Sequence, residues 1–542
     1  MKQYLKTALI TSVIMLILLG GTSIYLLQSS KTVQKAQKKL EEKELDKKLY
    51  GMEKEDVSDD NIIPLYLKGE NKNVKTFKYD SVKDIYSTKN SKQVVKELQK
   101  LKKKNSYNAE NPLWCYNPFG TNKLSMYLYF ETVEPYRVEY TIYTKDSQTA
   151  DFNRTCLGSS SGQKEHEYQI LGLIPEKENF IILKLYNTAG EQIKRMVYSI
   201  TMPEIKGVDT QLMENDGKSL EQVSAGLYFF LGHDWENKKA PRGIWMYDNS
   251  GWLRGAIPTV SGRVYELLEL EDGLFYNYSA TGIAKVDSMG KVIDTYSIKD
   301  YSLSGKFVYD GHGHILMLAT KKNAKTKGDQ ILVFNLETGK LEKKISLATL
   351  LKGVSKKNNW LKADSIVVMG SNGVLISSEK LSSLIKIQNI FSENPTVDYV
   401  IGPESVWKDS DITRLSYANE EATAEPYKPS GLTMLDDSMA SEGTFKVAFY
   451  NNNKVGSSAS LSEYTISEKD RTYYLENSFE LPGSVKENSV QNYKGHWIVN
   501  SAEDCAVIEY DEKGKAILTL KYQINNYTPT VYKKDMKGFW FQ

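Results

Sequence analysis

At 542 residues the chain is too long for a single hydrophobic core, so two or three folded units are expected. Its 70 Lys and Arg nearly balance 68 Asp and Glu, leaving a formal charge of +2 and no global field of the kind a nucleic-acid partner needs. Five His and three Cys without CxxC or HExxH spacing argue against a metal centre, and no cofactor is expected; 36 Tyr and 36 Gly against 14 Pro suit a β-rich chain.

The first strong signal is at the N-terminus. Lys2 and Lys6 lie in a short tail, residues 1–6, and Thr7–Leu27 then runs without a charge for long enough to cross a bilayer as a helix. A cleaved signal peptide would end a shorter apolar run in small residues, whereas Ile24, Tyr25, Leu26 and Leu27 continue this one. The segment 7–27 therefore reads as an uncleaved, single-pass signal anchor in the cell membrane. Lys31, Lys35, Lys38 and Lys39 follow it, so charge alone does not orient the span. The β-rich bulk is similar to exported proteins, which places it outside the cytoplasm and leaves 1–6 as a cytoplasmic tail.

Residues 28–110 read as a helical stalk and linker. Val33, Ala36, Leu40, Leu45, Leu49 and Met52 recur at helical spacing among Lys and Glu, but the heptad slips between Leu40 and Leu45, which favours a solvated helix over a coiled coil. A second amphipathic helix is predicted over Ser91–Lys104, with Val94, Val95, Leu98 and Leu101 on one side. Its lysines form either a solvated face or a contact with anionic lipid heads.

From 111 to 206 the period changes to two. Strands are predicted over Leu124–Phe130, Tyr136–Tyr143 and Phe180–Tyr186, parted by turns that include Glu134-Pro135, which gives a small Ig-like β-sandwich. Cys115 and Cys156 both fall there, either bonded or as two free thiols; Cys505 has no evident partner.

Beyond Gly207 a hairpin repeats: Ile244–Leu253, Ala284–Ile293, Leu332–Leu341 and Val507–Ala516, each with Asp or Asn three or four residues before a Gly. A second turn recurs at Glu271-Asp-Gly, Asp310-Gly-His-Gly-His, Gly370-Ser-Asn-Gly, Tyr493-Lys-Gly-His and Asp535-Met-Lys-Gly. The spacings are 287 − 248 = 39 and 335 − 287 = 48 residues, and 511 − 335 = 176 suggests four further steps of 44. Blades of four strands take roughly 40–50 residues, so 207–542 is assigned to a β-propeller, with six blades taken from the six to eight that would fit. The fold class is mainly β.

The stretch from Asn111 to Gln542 resembles the bacterial arylsulfate sulfotransferases, on Asn117-Pro-Phe-Gly-Thr121, Tyr129-Phe-Glu-Thr132 and Glu165-His-Glu-Tyr-Gln-Ile-Leu-Gly-Leu-Ile174, then Gly226-Leu-Tyr-Phe229, Ile385-Lys-Ile387, Val397-Asp-Tyr-Val-Ile-Gly402 and Tyr532–Phe539. The resemblance implies a propeller behind a small β-module and transfer of a sulfuryl group from a phenolic sulfate ester to another phenol. It implies a nucleophilic imidazole, two further His and an Arg near the propeller axis, to attack sulfur and to hold the equatorial oxygens.

Each implied position is occupied otherwise. A His-His-Asp run becomes Ser304-Gly305-Lys306, Trp-x-His becomes Trp360-Leu361-Lys362, the Arg after a Ser-Ser pair becomes Glu379, and the nucleophile that opens a His-Ser strand becomes Pro429. A further family histidine falls at Glu266. Proline cannot attack sulfur and a carboxylate repels sulfate, so no catalytic residue is assigned and the family mechanism is expected to be disabled. His312 and His314 in the Asp-Gly-His-Gly-His turn read as polar turn residues rather than a metal pair, and His166, His233 and His496 match no family position.

Three readings follow. The first is a non-catalytic propeller whose axial funnel, lined by Glu266, Lys306, Trp360, Lys362 and Glu379, binds a small polar or phenolic ligand or a protein partner. Against it stands drift of those residues after activity was lost. The alternative is an active arylsulfate sulfotransferase, and a third is another chemistry on the same scaffold.

Overall fold

The computed structural model describes residues 54–542 except 147–148, 159–161, 215–222, 233–241, 261–262, 355–358, 419–424, 453–457, 482–488, 502–503 and 523–529. The tail 1–6, the apolar run 7–27, the stalk up to residue 53 and His233 lie outside the described residues. Among the described residues no helix is long and apolar enough to cross a membrane.

Alternating apolar positions build the N-terminal module as two sheets joined by one long strand, Met126–Tyr143. Its first half pairs with Leu113–Tyr116 and Gln163–Ile170, and its second half with Phe152–Thr155 and Glu178–Tyr186. Two strands parted at Glu134-Pro135 were expected. Instead the chain stays extended through the proline, and the pairing register against Gln163–Ile170 shifts between Glu131 and Tyr136. Extended backbone at a bulge accommodates a residue without an N–H, so the proline marks a corner between sheets rather than a turn.

The stretch expected to be linker up to residue 110 is built into this module from its described start. Ile62–Pro64 pairs in parallel with Val197–Ser199, and Lys75–Thr76 with Cys115–Tyr116. The second predicted helix forms over Thr88–Lys104, capped where the Ser87 hydroxyl accepts the Asn90 N–H. It buries Val94 and Leu98, with Val95 and Leu101 partly buried, against Leu113, Cys115, Tyr127 and Tyr129. Cys115, Cys156 and Cys505 are free thiols.

Six four-stranded blades follow. Blades 2, 3, 4, 5 and 6 start with their innermost strands at Leu267, Tyr301, Ala363, Ser430 and Ser489. Blade 1 is closed by the end of the chain: Thr530–Lys534 supplies its innermost strand beside Leu227–Gly232. Met213–Glu214 adds an outer strand to blade 6, so both termini of the domain fasten the ring. The four repeated hairpins join the third and fourth strands of blades 1, 2, 3 and 6, counted outward from the axis. Their glycines, Gly251, Gly290, Gly339 and Gly514, all take positive φ, and three Asp side chains accept the next N–H groups of the turn, as Asp287 Oδ1 does from Met289 and Lys291 at 3.0 and 2.9 Å. From Asn335 to Asp511 the chain takes three steps, not four. Blades 4 and 5 are longer than the repeat because 347–362 and 402–429 intervene before their first strands.

Apolar cores lie between adjacent blades. Leu316, Leu318, Ile331 and Val333 of blade 3 face Ile366, Val374, Ile376 and Ile385 of blade 4. Asp56–Gln542 is one compact unit in which the module and the propeller share a seam. At that seam the Ala256 N–H donates to Asn122 Oδ1 at 3.0 Å, and Ala256 O accepts the Lys123 N–H. The Tyr86 hydroxyl donates to Pro258 O at 2.6 Å, with its ring stacked on Tyr278. Arg254 is 2% exposed and binds Asp248 Oδ2 at 2.6 Å, Gly172 O at 2.9 Å and Ala150 O at 2.7 Å.

Candidate functional site

In a propeller the innermost strands converge on the axis, and here they gather charge. Glu266 immediately precedes the inner strand of blade 2, Lys306 lies in that of blade 3, Asp364 in that of blade 4 and Tyr532 in that of blade 1. The Tyr532 hydroxyl donates to Glu266 Oε2 at 2.8 Å, and the Lys306 ammonium sits over the Tyr532 ring at 5.4 Å. Burial raises the Glu266 carboxyl above its ordinary value, against the pull of Lys306, the Leu267 N–H and Tyr532. Burial also lowers the Lys306 ammonium, against Glu266 and Asp364. Charges from three blades and the Tyr532 hydroxyl therefore meet with little solvent between them, where burial disfavours both ionised forms and the attraction between Glu266 and Lys306 opposes it.

A second group stands at the same end of blade 4. Lys362 and Glu379 form an ion pair, with Lys380 3.7 Å from the other carboxylate oxygen. Lys362 takes a positive φ of 45°, and its carbonyl accepts the Glu379 N–H, so the backbone itself presents the pair. Trp360 is drawn into the core between blades 3 and 4, beside Leu361 and Ile376, and is 8% exposed; it supports the wall rather than lining it.

The positions implied for histidines are closed in a specific way. At Gly305 a Cβ would lie 2.6 Å from Asp364 O of the neighbouring inner strand of blade 4. Ser304 Oγ is buried with no hydrogen-bond partner in the protein. Pro429 is buried behind Lys428, whose left-handed backbone (φ 46°) is held by the Lys428 N–H to Ser382 Oγ bond at 3.2 Å.

Three of the four described histidines have side-chain partners. His166 stacks on Phe130 at 4.4 Å between Thr132 and Tyr168, and burial lowers it to about 4. His314 Nδ1 contacts Asp310 Oδ2 at 2.8 Å, and His496 Nδ1 contacts Glu509 Oε1 at 2.6 Å. Among the described residues no group of three His, Cys, Asp or Glu could hold a metal ion.

Sequence reasoning placed Glu266, Lys306, Trp360, Lys362 and Glu379 along an axial funnel; the structure pairs Lys362 with Glu379 and sets Glu266 and Lys306 on either side of Tyr532. It missed Tyr532 and Asp364. Tyr532 opens a quoted family stretch, but nothing in the sequence ties the last strand of the chain to blade 2. That link exists only once the ring is closed.

A six-bladed propeller behind an Ig-like β-module is the class defined by this architecture. The sequence model for the arylsulfotransferase (ASST) matches residues 213–533, and that for the arylsulfotransferase Ig-like domain matches 113–203. The chain belongs to the arylsulfotransferase family. No curated protein matches it in sequence. Similar solved structures include a putative 6-phosphogluconolactonase from Bacteroides fragilis (10% identity, TM-score 0.35, 74% of this chain and 98% of that one). Another is the periplasmic gluconolactonase of Pseudomonas aeruginosa (10%, 0.33, 73% and 98%).

Proposed function

We propose that this chain is a membrane-anchored, extracytoplasmic member of its family that does not transfer sulfuryl groups and instead binds a small polar ligand at the propeller mouth. The observation that carries the reading is the close approach of the blade 3 and blade 4 inner strands at Gly305. A histidine there would have to displace the Asp364 carbonyl, which lies 2.6 Å from the Cβ position. Pro429 in place of the nucleophile cannot attack sulfur, and Glu379 in place of the sulfate-holding arginine puts a carboxylate, paired with Lys362, where a cation would hold the sulfate oxygens. What remains is the Lys362–Glu379 ion pair and, around Tyr532, the Glu266 carboxylate and the Lys306 ammonium, a mixed set suited to neutral or zwitterionic polar molecules.

The test is a transfer assay on Asp56–Gln542 with a phenolic sulfate donor and a phenol acceptor in excess, followed by mass spectrometry for a sulfurylated residue. No turnover and no adduct, from protein shown to be folded, is the expected result. Turnover with an adduct would establish the active-sulfotransferase reading and identify its nucleophile.

A further inference from the structure

We propose that the exposed face of helix Thr88–Lys104 is a docking face for an anionic lipid bilayer. The helix turns Ser91, Val94 and Leu98 into the N-terminal module. Its exposed positions are Lys89, Lys92, Gln93, Lys96, Gln99, Lys100, Lys103 and Lys104: six lysines, two glutamines and no acid. At 3.6 residues per turn the six lysines fall within an arc of about 120°, opposite the buried stripe. The one acid of the helix, Glu97, is half-buried and bound by Gln93 and Lys100 at 3.0 and 2.8 Å. The seventh lysine, Lys102, turns to the module, where Glu167 at 2.5 Å and Glu165 at 3.6 Å neutralise it over the Tyr129 ring.

Solubility does not require this arrangement. A solvated helix gains from alternating Glu and Lys at i, i+4, whereas Lys92, Lys96 and Lys100 are like charges at that spacing and oppose helix formation. The row from Lys89 to Lys104 is about 22 Å long, more than twice the Debye length of roughly 8 Å at physiological ionic strength. Ammonium groups strung along a straight face do not converge on a small anion; they match an extended plane of negative charge.

The reach is available. If the apolar run 7–27 spans a bilayer, as proposed above, residues 28–53 separate it from the described chain. Those 26 residues span at most about 90 Å when extended, so the tether lets the helix return to the same surface.

The test is co-sedimentation of Asp56–Gln542 with vesicles of phosphatidylcholine alone and of phosphatidylcholine with phosphatidylglycerol, at low and high salt. Binding is expected only to the anionic vesicles and is expected to weaken with salt. A lysine near such a surface contributes about a fivefold factor, so K92Q/K96Q/K100Q/K103Q should weaken binding roughly a hundredfold or more. A control of equal charge change on exposed lysines of blade 3, K321Q/K322Q/K325Q/K327Q, should change it by less than about threefold. All eight positions are exposed, and unchanged melting curves would show that both variants fold. Equal loss in the two variants would overturn the proposal. So would no binding to anionic vesicles, or retention by a soluble polyphosphate with none on vesicles.

Discussion

The Lys533 ammonium and the Glu509 carboxylate meet at 2.6 Å with neither side chain exposed to solvent. Lys533 belongs to the last strand of the chain and Glu509 to blade 6, so the pair crosses the seam where the ring closes. The carboxylate is also bound by the Ser224 N–H and hydroxyl at 3.0 and 2.9 Å, by Tyr228 and by His496. Lys533 donates further to the Tyr228 hydroxyl at 2.9 Å. These donors hold Glu509 below the usual carboxylate range despite its burial.

Glu509→Gln should therefore destabilise the fold by about 3 kcal/mol or more at pH 7, because it leaves a buried ammonium without a counter-ion. Burial already lowers Lys533 to about 8, so in the variant it sheds its proton readily. A base whose folded value lies below its unfolded value gains stability as pH rises between the two, so the deficit should narrow from pH 7 to pH 9 in urea denaturation. On the acid side the wild-type contribution of Glu509 is present above its unfolded value and is lost as pH falls through the folded one. The double variant Glu509→Leu, Lys533→Met should be closer to wild type than either single change.

Arg254 fastens the N-terminal module to blade 1 in the same manner. Its guanidinium serves Asp248 and two module carbonyls at once, so Arg254→Met leaves three acceptors without that donor. A loss of about 3–5 kcal/mol is expected. It should appear as a thermal transition split in two, with the module melting before the propeller. Arg254→Lys keeps the charge without the fork and should fall between the two.

Much of this architecture is legible in residue order because it is local. The Asp248–Gly251 and Asp287–Gly290 turns each need a side-chain acceptor and a positive φ, and both requirements are written in the residue types. What is not legible depends on closure or on competition between positions. Tyr532 reaches Glu266 only because the last strand is the first blade's inner strand, a pairing 266 residues apart. Trp360 reads as a funnel aromatic, yet the same side chain fills the apolar space between two blades, and burial of its surface wins. The step count failed at blades 4 and 5 because a repeat constrains the strands and leaves the length of intervening segments free.

His166 gives a pH signature without catalysis. Stacked on Phe130 and lowered by burial to about 4, it stays neutral in the folded protein while the unfolded chain takes up a proton below about 6.5. Stability should therefore fall as pH drops from 6.5 towards 4. His166→Phe keeps the stack but loses the contacts to Thr132 and Tyr168, at about 1–2 kcal/mol at pH 7. Because the variant has no proton to take up, its deficit should shrink on acidification when denaturation midpoints are compared at pH 7 and pH 4.5.

Glu379 is the position where a single change bears most directly on ligand choice. Its carboxylate occupies Lys362 and lies near Lys380, so of the two ammonium groups only one positive charge is left uncompensated for an incoming anion. The pair is partly exposed, and its removal should cost less than about 1 kcal/mol of stability. Glu379→Gln keeps the shape while leaving both cations uncompensated. At an effective dielectric near 20, one cation within several ångströms of an anion is worth roughly 3 kcal/mol before solvent screening. Calorimetric titration with phenyl sulfate should therefore show binding strengthened about tenfold over wild type, and further in Glu379→Arg. If both variants bind phenyl sulfate no better than wild type, the Lys362–Glu379 pair lies off the path to the axial cluster, and the ligand of this propeller is selected deeper, at Glu266 and Lys306.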